Sequence, residues 1–180
     1  MTGYDTKTIA TIIHQFLQQL DIPTYHLVSH DVGGWVAYPY TALFGNEVHS
    51  LTIMDAGIPG VTMPNKLSLN PELAWQTWHF AFHLVPDIPE MLITGKESEY
   101  LDWFLRRKSA NPEVFSEEDI QEYLRSFQKM GGLRAGLSYY RDSALSAQQN
   151  KELAEKGKLK TPVLALGGDQ STIPDMISPL

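Results

Sequence analysis

The chain has 180 residues, 43% of them hydrophobic and 19% charged, which supplies enough apolar material for one domain with a buried core and argues against disorder. Its formal charge of -7 speaks against nucleic acid or an anionic membrane surface as the main partner, because both select clustered positive charge. With no cysteine it can form no disulfide, thiolate nucleophile or Cys-ligated zinc site, so oxygen and nitrogen side chains must carry any chemistry.

Ile9, Ile12, Ile13, Phe16, Leu17 and Leu20 fall at helical spacing from a start near Asp5 or Thr6, and Pro23 closes this amphipathic helix. Tyr25 to Val28 has the pattern of a short buried strand. It leads through Ser29-His30-Asp31-Val32-Gly33-Gly34 into a helix from Trp35 to Phe44, ended by Gly45-Asn46 and accommodating Pro39. A second strand, Val48 to Met54, stops at Asp55. More than a hundred residues follow without a good strand. Residues 71–85 are rich in aromatics and histidine, residues 97–108 form an amphipathic helix, and Ser116 opens another with Glu117, Glu118 and Asp119 in its first turn. Further helices fit residues 133–145 and 146–156. The basic cluster Arg106, Arg107 and Lys108 reads as a solvated helix end. A third strand, Pro162 to Leu166, stops at Gly167-Gly168.

Helix, strand, helix, strand in this order implies parallel pairing through right-handed crossovers, and hence an α/β class. The expected organisation is a sheet-bearing part over 1–57, a helical insertion over 58–158 and a return to the sheet over 159–180. The insertion is carried at the carboxyl end of the strands, where open α/β sheets bind ligands. No apolar run approaches the roughly 18 to 20 residues of a membrane span, and the first residues show no signal-peptide pattern. Met1 need not be the natural start, so the compartment stays unassigned.

A nucleophile on a sharp strand-to-helix turn needs small residues two before and two after it, because the turn brings the two backbones together. Centred on Asp31, that frame places Ser29 and Gly33 in the small positions; centred on Ser29, it would place Leu27 and Asp31 there. Asp31 is therefore the candidate. The bland alternative is that Asp31 merely caps the following helix, which Asp often does. A phosphate-cradling loop is a weaker third choice, since Gly33-Gly34 matches neither a Walker loop nor a dinucleotide fingerprint.

His30-Asp31-Val32-Gly33-Gly34-Trp35 resembles the His-Asp-x-Gly elbow of epoxide hydrolases and related dehalogenases, α/β-hydrolases that use aspartate where esterases use serine. Thr2-Gly3-Tyr4-Asp5 is similar to the segment after the fourth strand of that fold. Trp78-His79-Phe80, Gly95-Lys96-Glu97, Asn111 to Ser116 and Tyr139-Tyr140-Arg141 resemble an epoxide hydrolase subgroup that includes the bacterial inhibitory factor of the cystic fibrosis chloride channel. The likeness spans nearly the whole chain. It implies a partial α/β-hydrolase fold with a helical lid, a small epoxide as substrate and water as co-substrate. No cofactor or metal is implied, neither nucleic acid nor membrane is a partner, and a homodimer is a possible assembly.

The resemblance also implies roles. Asp31 would open the ring by forming an ester, and Tyr140 and His79 would hydrogen-bond the epoxide oxygen. Asp55 would orient the histidine that activates water for ester hydrolysis. Each has a rival. Asp55 could be an ordinary strand-end turn residue, Asp169 competes as the orienting acid, Tyr139 competes with Tyr140, and His79 with His83 at i and i+4 could suggest a metal site lacking a third ligand. Arg141, His26 and His49 look structural or exposed.

The family's histidine base follows its last strand, whereas no histidine here lies beyond His83, and the segment bearing the family's His-Gly-x-Pro oxyanion donors would precede residue 1. The chain is expected to be a fragment, with its first strand left as an unpaired edge and apolar surface bare. Three functions compete: an epoxide hydrolase, a haloalkane or haloacetate dehalogenase of the same fold, and a truncated non-catalytic remnant. Haloalkane enzymes follow the nucleophile with Trp and haloacetate enzymes with Arg; Val32 is neither.

Overall fold

The computed structural model describes residues 2–63, 70–72, 74–169 and 171. Parts of the expected insertion (64–69, 73) and of the returning segment (170, 172–180) therefore lie outside the described residues. The chain divides into two compact units, residues 1–67 with 142–180, and residues 68–141.

In the first unit, α1 (Thr6–Gln19) begins where the Asp5 carboxylate accepts the Thr8 N–H at 3.0 Å, so the apolar periodicity starts at a capped end. The strands β1 (Tyr25–His30), β2 (Val48–Met54) and β3 (Val163–Leu166) form a parallel sheet in that order, with His30 opposite Met54 and Met54 opposite Leu166. Between β1 and β2 runs α2 (Val32–Phe44), which is buried continuously from Gly34 to Thr41 and packs on both strands. A helix apolar on every side must be covered on every side, and α1 and α8 (Ser143–Ala154) complete its cover. Pro39 is accommodated inside α2 without breaking it.

α8 is tied to this unit by long-range bonds. Ser146 Oγ accepts the Thr6 N–H at 3.1 Å, and Asn150 Nδ2 donates to the Pro59 carbonyl at 3.0 Å. Gly60, at φ 78°, lies so close to α8 that a Cβ there would sit 2.2 Å from the Ala147 carbonyl oxygen. As expected for β1 at a sheet edge, among the described residues it pairs on one side only. The sheet face bearing Val28 (62% exposed), Leu164 (54%) and Leu166 (45%) is bare.

The second unit is helical: α3 (Ala74–Leu84), α4 (Ile88–Ile93), α5 (Glu97–Arg107), α6 (Glu117–Phe127) and α7 (Gly132–Arg141). Ser116 opens α6 through a reciprocal capping box with Asp119. Ile93, Leu133 and Leu137 form the buried core with Phe82, Tyr100 and Phe127 packed against it. Where periodicity predicts a break near residue 145, the helices divide at Asp142. There the carboxylate accepts the Tyr4 N–H at 3.0 Å while its carbonyl accepts the Ser146 N–H at 2.9 Å, so a tertiary contact sets the boundary. No helix among the described residues is long and apolar enough to cross a membrane.

Candidate functional site

Asp31 stands between the end of β1 and the start of α2 at φ 51°, ψ -128°. A non-glycine residue there is strained by roughly 1–3 kcal/mol and persists only because its surroundings impose it. Two backbone bonds do so. The Asp31 N–H donates to the Met54 carbonyl at 3.2 Å, extending the ladder one step, and the Asp31 carbonyl accepts the Gly34 N–H at 2.8 Å, closing the turn. Although Asp31 occupies the N-cap position, its carboxylate makes no capping hydrogen bond and is exposed. The helix-cap reading therefore loses its physical basis.

The tight approach at this turn belongs to a different glycine from the one the small-residue frame selects. A Cβ on Gly33 would meet Ser29 at an ordinary 3.8 Å, whereas one on Gly34 would lie 2.6 Å from the Ala56 Cβ and 3.2 Å from the Ile53 Cγ2. Gly34 lets α2 descend onto the end of β2.

Asp55 occupies the corresponding place one strand over, also at positive φ (45°). Its N–H donates to Leu166 at 2.9 Å, and its Oδ1 accepts the Gly168 N–H at 2.8 Å. The two aspartates thus follow directly on paired strand ends, which parallel sheets space roughly 4.8 Å apart. Asp169, the rival acid, is exposed in the turn after β3.

In the second unit the structure brings His79 and Tyr140 together, with ring centroids 5.9 Å apart at 85°. Tyr140 also packs 4.4 Å from His83. His79 and His83 are both buried, at 5% exposure. His79 Nδ1 lies 3.1 Å from Lys108 Nζ, and His83 Nε2 lies 2.5 Å from the Tyr100 hydroxyl. Burial, reinforced by Lys108 and then His83, pushes the His79 imidazole down to about 3; burial, then Lys108 and Arg141, take His83 to about 4. Both rings are neutral at ordinary pH. Among the described residues no third His, Cys, Asp or Glu joins them in a group that could hold a metal ion.

Arg141, next to Tyr140, clamps α7 to α4. Its guanidinium donates to both Glu90 carboxylate oxygens at 2.7 and 2.8 Å and to the Val85 carbonyl at 2.9 Å. The basic cluster ends α5 as expected, with Arg107 and Lys108 exposed, and each of its side chains has a partner. Arg106 pairs with Asp102 at 2.6 Å, Arg107 lies over the Trp75 ring, and Lys108 spans from α5 to α3. Sequence reasoning missed Lys108 because its partners are 29 and 32 residues away. A cavity of about 500 Å³ walled by Trp75, Trp78, Ile93, Tyr100 and Trp103 does not include His79 or Tyr140 in its lining.

A strained residue joining a parallel strand to a buried helix is the form of the nucleophile elbow in α/β-hydrolases, and residues 2–178 match that family, the alpha/beta hydrolase fold. The chain belongs to that family. Within this α/β-hydrolase family it is related to epoxide hydrolases. It is 34% identical over 171 residues to the soluble epoxide hydrolase of Corynebacterium sp. (strain C12), covering 93% of this chain and 59% of that protein. Among solved structures it resembles Cfl2 of Burkholderia cenocepacia, with 56% identity and a TM-score of 0.97, covering all of this chain and 61% of that one. It also resembles the epoxide hydrolase CorEH, with 31% identity and a TM-score of 0.81, covering 93% and 59%. The chain thus spans about three fifths of the length of these relatives. The α/β-hydrolase core is the parallel sheet with α2, and the helical insertion matches a lid-like region.

Proposed function

We propose that the chain carries the nucleophile and lid donors of an epoxide-opening hydrolase, with the helical insertion serving as lid. One carboxylate oxygen of Asp31 forms a C–O bond to a ring carbon as the ring C–O bond breaks, and the electron pair moves onto the ring oxygen. That oxygen accepts hydrogen bonds from His79 and Tyr140 and takes a proton from solvent, leaving a hydroxyalkyl ester on Asp31. Water then cleaves the ester, with Asp55 as the acid that orients a base.

The observation that carries this reading is Asp31 itself, held at φ 51° on the strand-to-helix turn with its carboxylate uncommitted to the helix it precedes. The soluble epoxide hydrolase and CorEH among the relatives support the choice of electrophile. A carboxylate is a weak nucleophile, so alignment and donors on the leaving oxygen must supply the rate.

Dehalogenation begins with the same ester, so substrate choice tests the proposal. The chain is incubated in parallel with a styrene-type epoxide and a haloacetate, with Asp31→Asn as control. Val32 offers no cation for a substrate carboxylate, and the epoxide is expected to modify the chain faster. Faster halide release from haloacetate would overturn the ranking.

A further inference from the structure

We propose that Lys108 is a positioning residue that fixes His79 as the neutral tautomer carrying its hydrogen on Nε2. This rests on the reading of His79 as a donor to the epoxide oxygen and says how that donor is prepared.

Lys108, an exposed residue, follows the last residue of α5, and its ammonium reaches at least three groups. It donates to the Gln76 carbonyl at 2.7 Å, approaches His79 Nδ1 at 3.1 Å and lies 4.6 Å from the centre of the Phe104 ring. Gln76 and His79 are both on α3, one turn apart, so one cation reads the backbone and the side chain of the same helix face. A lysine ammonium has three hydrogens and no lone pair. It can only donate, so His79 Nδ1 must present its lone pair, and a neutral imidazole then has its hydrogen on Nε2. The Phe104 ring favours a cation in the same place.

Protonation of the ring would set a second positive charge against the ammonium in a buried site, and burial, Lys108 and His83 all oppose it. The imidazole is therefore unsuited to act as a base through either nitrogen: Nδ1 is occupied and Nε2 carries hydrogen. It is suited to donate one hydrogen bond without giving up a proton, as an oxygen gaining negative charge requires.

The test is the tautomer of His79, read by long-range proton–nitrogen correlation on the ¹⁵N-histidine-labelled 180-residue chain and assigned with His79→Gln. The wild type is expected to show the Nε2–H pattern at about pH 8, above the ordinary histidine value. Lys108→Arg, which keeps a donor, should preserve that pattern. Lys108→Glu, which offers only acceptors, should invert it to Nδ1–H and slow modification of Asp31 by a small epoxide about 10²-fold, the scale for one lost oxyanion donor. A wild-type Nδ1–H pattern, or an unchanged Nε2–H pattern in Lys108→Glu, would overturn the proposal. If Lys108→Glu does not fold, the wild-type and Lys108→Arg tautomers decide. An Nε2–H tautomer together with no modification of Asp31 would defeat the epoxide reading while leaving the role of Lys108 intact.

Discussion

The backbone N–H of Gly168 donates to Asp55 Oδ1 at 2.8 Å, tying the chain beyond β3 to the carboxylate that ends β2. One oxygen of Asp55 is thereby committed to structure. Asp55→Asn keeps an acceptor for that N–H and should cost less stability than Asp55→Ala, which should lose about 1 kcal/mol in urea unfolding. Neither change touches Asp31. Epoxide modification of Asp31 should survive in Asp55→Asn, and its disappearance there would place Asp55 in the first chemical step.

Gly34 and Gly33 should behave differently despite adjoining in sequence. A methyl group on Gly34 would collide with Ala56 and Ile53, and Gly34→Ala should cost roughly 1–3 kcal/mol of overpacking. Gly33→Ala meets Ser29 at contact distance and should change stability by less than about 1 kcal/mol. Paired urea titrations check the order; equal losses would show that the two positions are equally crowded.

Acid should loosen the 68–141 unit in two stages. His79 and His83 are held near 3 and 4, below the ordinary 6.5, so the unfolded chain binds more protons and stability falls as pH drops below about 6.5. Glu90 is held at about 2, chiefly by its hydrogen bond from Arg141, against an ordinary 4.5. Its contribution is complete above 4.5 and is lost as pH falls towards 2. Thermal melts across this range should therefore decline from about pH 6.5. Glu90→Gln should cost about 2 kcal/mol at neutral pH and flatten the lower stage. A lower stage as steep as in the wild type would remove Glu90 from the account.

Much of this was legible in the sequence because the signals are local. The small residues around Asp31 predict the elbow, apolar runs bounded by turn residues predict β1, β2 and β3, and Ser116 with Asp119 predicts the start of α6. Contacts between distant residues were not legible. The break at Asp142 is decided by Tyr4, 138 residues away, and the partners of the exposed Lys108 lie 29 and 32 residues back, on α3. The crowding that demands Gly34 depends on Ala56 across the sheet, which no spacing rule around Asp31 contains. Tyr139 and Tyr140 are adjacent in sequence, and it is the Tyr140 ring that lies against His79 and His83.

The central claim is that Asp31 is the nucleophile, and covalent mapping tests it most directly. The 180-residue chain is incubated with a small epoxide, its intact mass is measured, and peptides spanning residues 25–44 are sequenced by mass spectrometry. The account predicts one adduct per chain, on Asp31, absent in Asp31→Asn. An adduct on His30, Asp55 or any other residue in place of Asp31, or an adduct undiminished in Asp31→Asn, would contradict it.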